Sequence, residues 1–193
     1  MSKQNPPVGI IAEDDCDVAS IRVLIHRIAQ NSGIGMRQFV GKGCGKIMRK
    51  CNAWAKLLKT KGCCALIVIH DLDKNDLNQL RTALSGALAP NPFKKSLICI
   101  PVEELEAWLL SDPAAIQAAL SLPKRPKVSG VPEQISSPKE YLQRTVHIAS
   151  SGERMYLNTV HNEKICAKLS IESACRCPSF RPFHDFVLHT IRR

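Results

Sequence analysis

The sequence predicts an α/β fold: a four-stranded parallel, Rossmann-like sheet flanked by helices, with a C-terminal helical extension. Three observations predict it. Short continuous apolar runs at Val8 to Ala12, Cys63 to Ile69 and Ser96 to Ile100 read as buried strands. Segments with apolar residues at helical spacing separate them, the pattern of right-handed β-α-β crossovers. Carboxylates follow directly on the strand ends, where open α/β sheets gather their functional groups.

Val8-Gly9-Ile10-Ile11-Ala12 is the first strand and ends in Glu13-Asp14-Asp15. Asp17 then opens a helix with Val18, Ile21, Leu24, Ile25 and Ile28 on its apolar face, stopped by Asn31-Ser32-Gly33. Ile34 to Val40 supplies an alternating second strand. Gly41-Lys42-Gly43-Cys44-Gly45-Lys46 leads into a helix carrying Ile47, Cys51, Trp54, Ala55 and Leu58 on one face. Such a glycine-rich turn before a helix can cradle phosphate with its free amides. Its glycine spacing is one residue short of a P-loop, and Ile47 stands where a magnesium-binding hydroxyl is needed. Two readings stand side by side, a phosphate-contact loop and a flexible connection.

The third strand, Ala65-Leu66-Ile67-Val68-Ile69, runs into His70-Asp71-Leu72-Asp73. Residues i and i+2 of an extended chain point the same way, so Asp71 and Asp73 can face one cation if the strand geometry persists. The competing reading makes Asp73 a cap for the next helix and Asp71 a solvated strand end. His70, by the same alternation, points away from Asp71 and is expected to be structural. The next helix shows Leu77, Leu80, Leu84 and Leu88 in a stripe, closed by Ala89-Pro90-Asn91-Pro92. The fourth strand, Ser96 to Ile100, enters a predicted helix over 101–112 that carries Glu103, Glu104 and Glu106. With strand order 2-1-3-4, Glu13, Asp71 and Asp73 should converge on one sheet edge, with the glutamates after the fourth strand approaching from the side. The expected organisation is an α/β domain over 1–120, a Pro-rich basic linker over 121–138 and a helical extension over 139–193 packed on the same domain.

Composition narrows the function. The chain has 193 residues and a formal net charge of +10, which favours a polyanionic partner, although basic solubility gives the same sum. Aromatics are 5%, which argues against base stacking as the main mode of nucleic-acid binding. Lys42, Lys46 and Lys74 are the candidate phosphate contacts, with further cations along the extension from Arg125 to Arg193. No run of 18 apolar residues and no apolar signal core occur, so a cytoplasmic, non-membrane protein is expected. Nine cysteines occur without any C-x-x-C, so most read as small buried hydrophobes; Cys175, Cys177 and His184 are a minor zinc alternative at the wrong spacing.

The order of Glu13 after a first strand, Asp71-x-Asp73 after a later one and a third acidic segment resembles the TOPRIM domain of topoisomerases, DnaG-type primases and OLD-type nucleases. Glu104-Leu105-Glu106-Ala107-Trp108-Leu109-Leu110-Ser111-Asp112 is similar to the hallmark segment of small bacterial TOPRIM-like proteins. Asn162-Glu163-Lys164 and Cys177-Pro178-Ser179-Phe180-Arg181-Pro182-Phe183 resemble that group's C-terminal pattern. The resemblance covers nearly the whole chain. It implies a magnesium-dependent nuclease or phosphodiester hydrolase, with manganese as a substitute ion. Glu13 would serve as general base or ligand and Asp71 and Asp73 as ligands, with Glu104 and Glu106 completing the metal set. It also implies an ABC-type ATPase partner in a bacterial defence system. Asp14 stands where that pattern has glycine. Two alternatives carry different functions: a non-catalytic module that binds nucleic acid or a partner, and a receiver-like domain with Asp71 as phosphoacceptor.

Overall fold

A computed structural model describes residues 6–192, the Cys44 side chain excepted; Arg193, among the cations of the extension, lies outside them. Four short segments pair in parallel as β1 (Val8–Ala12), β2 (Met36–Val40), β3 (Ala65–Ile69) and β4 (Ser96–Cys99), in the order β2-β1-β3-β4. This is the predicted order, with β1 and β3 as central neighbours. Every residue of both is buried, as strands covered on two faces must be.

Alternation along the central strands sorts their side chains into two cores. Ile10, Ile67 and Ile69 face α1 (Asp15–Ala29) and the C-terminal helices. Ile11, Leu66 and Val68 face α2 (Cys44–Thr60) and α3 (Leu77–Leu88). Gly9 fits the second face because it has no side chain: a Cβ there would stand 3.1 Å from Leu58 Cδ1 and 3.4 Å from Leu66 Cδ1.

The predicted helix over 101–112 is shorter than expected. The chain from Pro101 to Leu105 is irregular, with Glu103 at φ 59°, and α4 spans only Glu106–Leu110. The Pro101 and Glu103 carbonyls accept the Leu72 and Asp73 amides, each at 2.9 Å, so the segment continues the pairing with the chain beyond β3 in place of helical turns. Asp112 then caps α5 (Pro113–Leu120) by accepting from the Ala114 and Ala115 amides, each at 3.1 Å.

The extension comprises α6 (Pro138–Ala149), α7 (Asn158–Lys168), α8 (Ile171–Ala174) and α9 (Phe180–Phe186), the last continued by a π-turn over Val187–Ile191. Its Leu142, Ile165, Cys166, Phe180 and Phe183 share one core with β1, β3 and α1. Arg27 of α1 donates to the Cys166 and Leu169 carbonyls, the latter at 2.5 Å, at the C-terminal end of α7 where a cation is favoured. Among the described residues, no helix is long and apolar enough to cross a membrane.

Candidate functional site

The carboxyl ends of β1 and β3 hold the acidic residues, and the sheet register decides which of them meet. Gly9 pairs with Leu66 and Ile11 with Val68, so the next step along the ladder sets Glu13 beside His70. Both continue the parity of the α2 and α3 face. His70 is 2% exposed, and its Nε2 lies 2.8 Å from Glu13 Oε1. Its Nδ1 lies 2.7 Å from the Asp71 carbonyl oxygen, which can only accept. Nδ1 therefore carries a proton. A proton on Nε2 as well would make the ring an imidazolium facing the Glu13 carboxylate. Burial depresses the His70 pKa, but the Glu13 hydrogen bond, the Asp71 carbonyl and the charges of Glu13 and Asp73 outweigh it and raise it. His70 does point away from Asp71, as alternation requires, but it points onto Glu13 and so belongs to the site.

Asp71 has the other parity and turns toward α1 and α4. One oxygen accepts the Leu105 amide at 3.1 Å. Its pKa is raised well above the ordinary carboxylate range, by burial first and then by Asp17, Glu106, Asp73 and Glu13 in that order. Asp17 is the residue that sequence reasoning took only for a helix opener. In the structure α1 begins at Asp15 behind Asp14, and Asp17 reaches back to accept the Asp14 amide at 3.2 Å. That back-bonding holds it at the sheet edge. Burial, with Glu106, Asp14 and Glu13 adding to it, pushes its pKa up to about 7 against the opposing Asp14 bond. Its position in the helix's first turn, four residues after Glu13, was the available signal.

Asp73 departs from the strand geometry on which its pairing with Asp71 was predicated. Strand-like bonds persist from His70 to the Cys99 carbonyl and from Leu72 to the Pro101 carbonyl, but Asp73 then turns to φ 48°. Asp and Asn adopt this left-handed conformation more readily than most residues. Asp73 does not cap α3 either; Asp76 does, accepting the Gln79 amide at 2.9 Å. Burial and the Glu13 charge raise the Asp73 pKa against a lowering by His70.

The two late glutamates are engaged elsewhere. Glu104 accepts the Lys139 amide at 2.8 Å in the first turn of α6, a favourable place for an anion. Burial raises its pKa, opposed by that bond. Glu106 is 4% exposed and accepts from Tyr156 Oη at 2.9 Å and Asn162 Nδ2 at 3.1 Å. Tyr156 also bonds Asn162 Oδ1, and its pKa is pushed far up by burial and by Glu106.

Glu13, Asp71 and Asp73 are coupled at one sheet edge, with Glu13 facing His70 and with Asp17 and Glu106 the strongest charges on Asp71. Among the described residues, no three acidic, histidine or cysteine groups stand together as a ready metal cage, the Cys175, Cys177 and His184 set included.

The glycine-rich loop is fastened to the same edge: the Gly41 amide donates to the Ala12 carbonyl and the Lys42 amide to the Glu13 carbonyl, both at 2.8 Å. Gly41 packs closely, since a Cβ would fall 3.0 Å from the Gly43 carbonyl oxygen and from Ile47 Cγ1. Gly43 caps α2 at φ 115° and ψ 150°, a region essentially confined to glycine. Gly43→Ala is expected to cost about 1–3 kcal/mol, read as a lowered midpoint in urea unfolding. Lys42, Lys46 and Lys74 are exposed around this edge.

A family model described as "Domain of unknown function (DUF4276)" matches residues 12–188. The chain belongs to the DUF4276 family. The DUF4276 match takes in β1's last residue, every acidic residue described above and the extension through α9. No curated protein and no solved structure matches the chain.

Proposed function

We propose that this DUF4276 protein is a divalent-metal-dependent phosphodiester hydrolase acting on nucleic acid, a TOPRIM-like nuclease. The observation that carries the reading is Asp71: a half-buried carboxylate at the end of a central strand, pressed by four other acids that raise its pKa. So much negative charge at one edge favours a cation.

The residues fit magnesium in their chemistry. Every candidate donor is a hard carboxylate oxygen, and magnesium commonly takes one or two carboxylates, water and substrate phosphate without an all-protein cage. Asp71, Asp73 and Glu13 would hold it, with Asp17 beside them; Glu104 and Glu106 serve α6 and the Tyr156–Asn162 pair instead. When bound, such an ion neutralises charge on a phosphoryl group and lowers the pKa of water. His70 orients Glu13, whose other carboxylate oxygen would accept the proton of an attacking water. Lys42 and Lys74 flank the edge as phosphate contacts. An ABC-type ATPase partner in bacterial defence belongs to the same reading.

The test is a magnesium and manganese titration with labelled DNA and RNA, scored for cleavage against Asp71→Ala and Asp73→Ala, with and without a co-purifying ATPase. Metal-dependent cleavage that disappears in the variants is expected. No cleavage of any substrate by the wild type would favour a non-catalytic binding module.

Stability should report the same charge. Asp17, Asp71, Asp73 and Glu104 all have raised pKa values, so the folded state binds more protons than the unfolded one above pH 4. His70, also raised, adds stability that is present below its unfolded value and lost as pH rises through its folded one. Without metal, the melting temperature should therefore fall as pH rises from about 5 to about 8. Magnesium should restore it at pH 8 and do little at pH 5, because ions and protons compete for the carboxylates. Differential scanning fluorimetry with EDTA or magnesium reads both.

A further inference from the structure

The positive charge of this protein is segregated. Between Val18 and His70 there are ten Lys and Arg residues and no Asp or Glu. Over 121–193, twelve basic residues are interspersed with six acidic ones. The acid-free stretch builds β2, an edge strand of the sheet, and α2, which packs Ile47, Cys51, Ala55 and Leu58 inward. Arg37, Lys42, Lys46, Arg49, Lys50 and Lys61 are left exposed along that edge. One end of the strip is tied to the acidic site, through the bond from the Lys42 amide to the Glu13 carbonyl.

We infer that the β2–α2 edge is a docking strip for the phosphodiester backbone of nucleic acid, read by charge and leading a strand to the carboxylates. The inference deepens the nuclease reading and rests on it for the strand's destination. The aromatic residues on the strip decide the mode. Phe39 and Trp54 stack on each other with centroids 5.5 Å apart and planes 4° from parallel, and Lys61 Nζ lies 5.4 Å from the Phe39 ring centroid. Phe39 is thus occupied by protein groups, so the pair braces β2 against α2 and does not offer a face to a base. Binding to phosphate carries affinity without sequence information. α2, with 17 residues, is about 25 Å long, enough to follow several phosphates.

The experiment is fluorescence anisotropy in EDTA with a labelled 20-base-pair duplex and the matching single strand, across a series of KCl concentrations. The variants are Lys46→Glu/Arg49→Glu/Lys50→Glu on the strip, Lys164→Glu/Lys168→Glu/Arg192→Glu on the extension, Trp54→Leu and Asp71→Asn, with circular dichroism verifying the fold. Wild type should bind, with log K falling linearly in log salt. The strip variant should weaken binding more than tenfold at low salt. It should also flatten the slope by about 0.9 for each duplex phosphate it no longer neutralises, or about 0.7 for each in a single strand. The size of that change identifies which form the strip prefers. Trp54→Leu should bind within twofold of wild type.

Strip and extension variants equally weakened, or a strip variant that binds like wild type, would overturn the proposal. So would a tenfold weakening in Trp54→Leu, which would indicate base stacking. Because binding is read without metal, strip-dependent binding in EDTA together with no cleavage in the magnesium and manganese titration would reject the nuclease reading while retaining the strip. Asp71→Asn should bind at least as tightly as wild type, since it removes a negative charge near the strip's end.

Discussion

Asp71→Asn is expected to abolish metal-dependent cleavage while raising the melting temperature of the metal-free protein. The two effects have one cause. Asp71 is half-buried among Asp17, Glu106, Asp73 and Glu13, and its ionised form is opposed by burial and by each of those charges. Asparagine keeps the shape and an oxygen for the Leu105 amide, so that bond survives. What disappears is the charge. Relief of such strain at functional sites commonly stabilises by about 0.5–2 kcal/mol, and each kcal/mol moves the midpoint by about 2–4 °C in a chain of this size. Cleavage should fall by about a thousandfold or more, the scale on which loss of one electrostatic stabiliser acts. The magnesium-dependent rise in melting temperature at pH 8 should shrink with it. Calorimetry and a cleavage assay on the same preparation check both. A variant that melts lower than wild type would mean that the charged form of Asp71 is a structural acceptor, and the metal reading would lose its main support.

The sheet was legible because its signal is repetitive: three apolar runs, intervening helical stripes and the handedness of crossovers leave few topologies, and order 2-1-3-4 is among the simplest. The site was legible only at the level of strand ends. Glu13 and Asp71 were placed at one edge, but their opposite parities, Glu13 with Ile11 and Asp71 with Ile69, give them different neighbours, His70 and the Leu105 amide. Counting parity across both strands together would have paired Glu13 with His70; counting it along β3 alone could not. Asp17 was hidden for a different reason. An acid in a helix's first turn is ordinary helix chemistry, and only the overhang of α1 at the strand end gives it a second role. The partners of Glu106 were beyond reach, because Tyr156 and Asn162 follow it by 50 and 56 residues. Asn162 was noticed in sequence as part of a C-terminal pattern, without any means of saying what it touches.

Trp108→Ala tests how far the extension and the site are one structure, and it should be the most destabilising single change in the chain. Trp108 is fully buried in α4. Its ring meets Phe180 edge-on at 5.0 Å and stacks on Phe183 at 5.9 Å, and its Nε1 donates to Ser179 Oγ at 2.7 Å. Ser179 in turn donates through its amide to Glu133 at 3.0 Å and through its hydroxyl to the same carboxylate. One side chain therefore ties α9 and the segment around Glu133 to α4. Truncation removes the ring and leaves a cavity, which together cost about 3–5 kcal/mol. The consequence for the site follows from α4 itself, a helix of five residues that begins at Glu106. With the Trp108 anchor gone, α4 has little to hold Glu106 against Tyr156 and Asn162, and the Leu105 amide that serves Asp71 sits one residue before it. The variant should thus unfold at lower urea and, under conditions where it remains folded, lose part of its magnesium-dependent stabilisation. Trp108→Phe separates the two contributions: it keeps most of the packing and removes the indole N–H, so it should cost less than half as much. If Trp108→Ala lowered stability but left the magnesium effect at its wild-type size, the extension would be a brace for the core alone, and Glu106 would be held by α7 without help from α9.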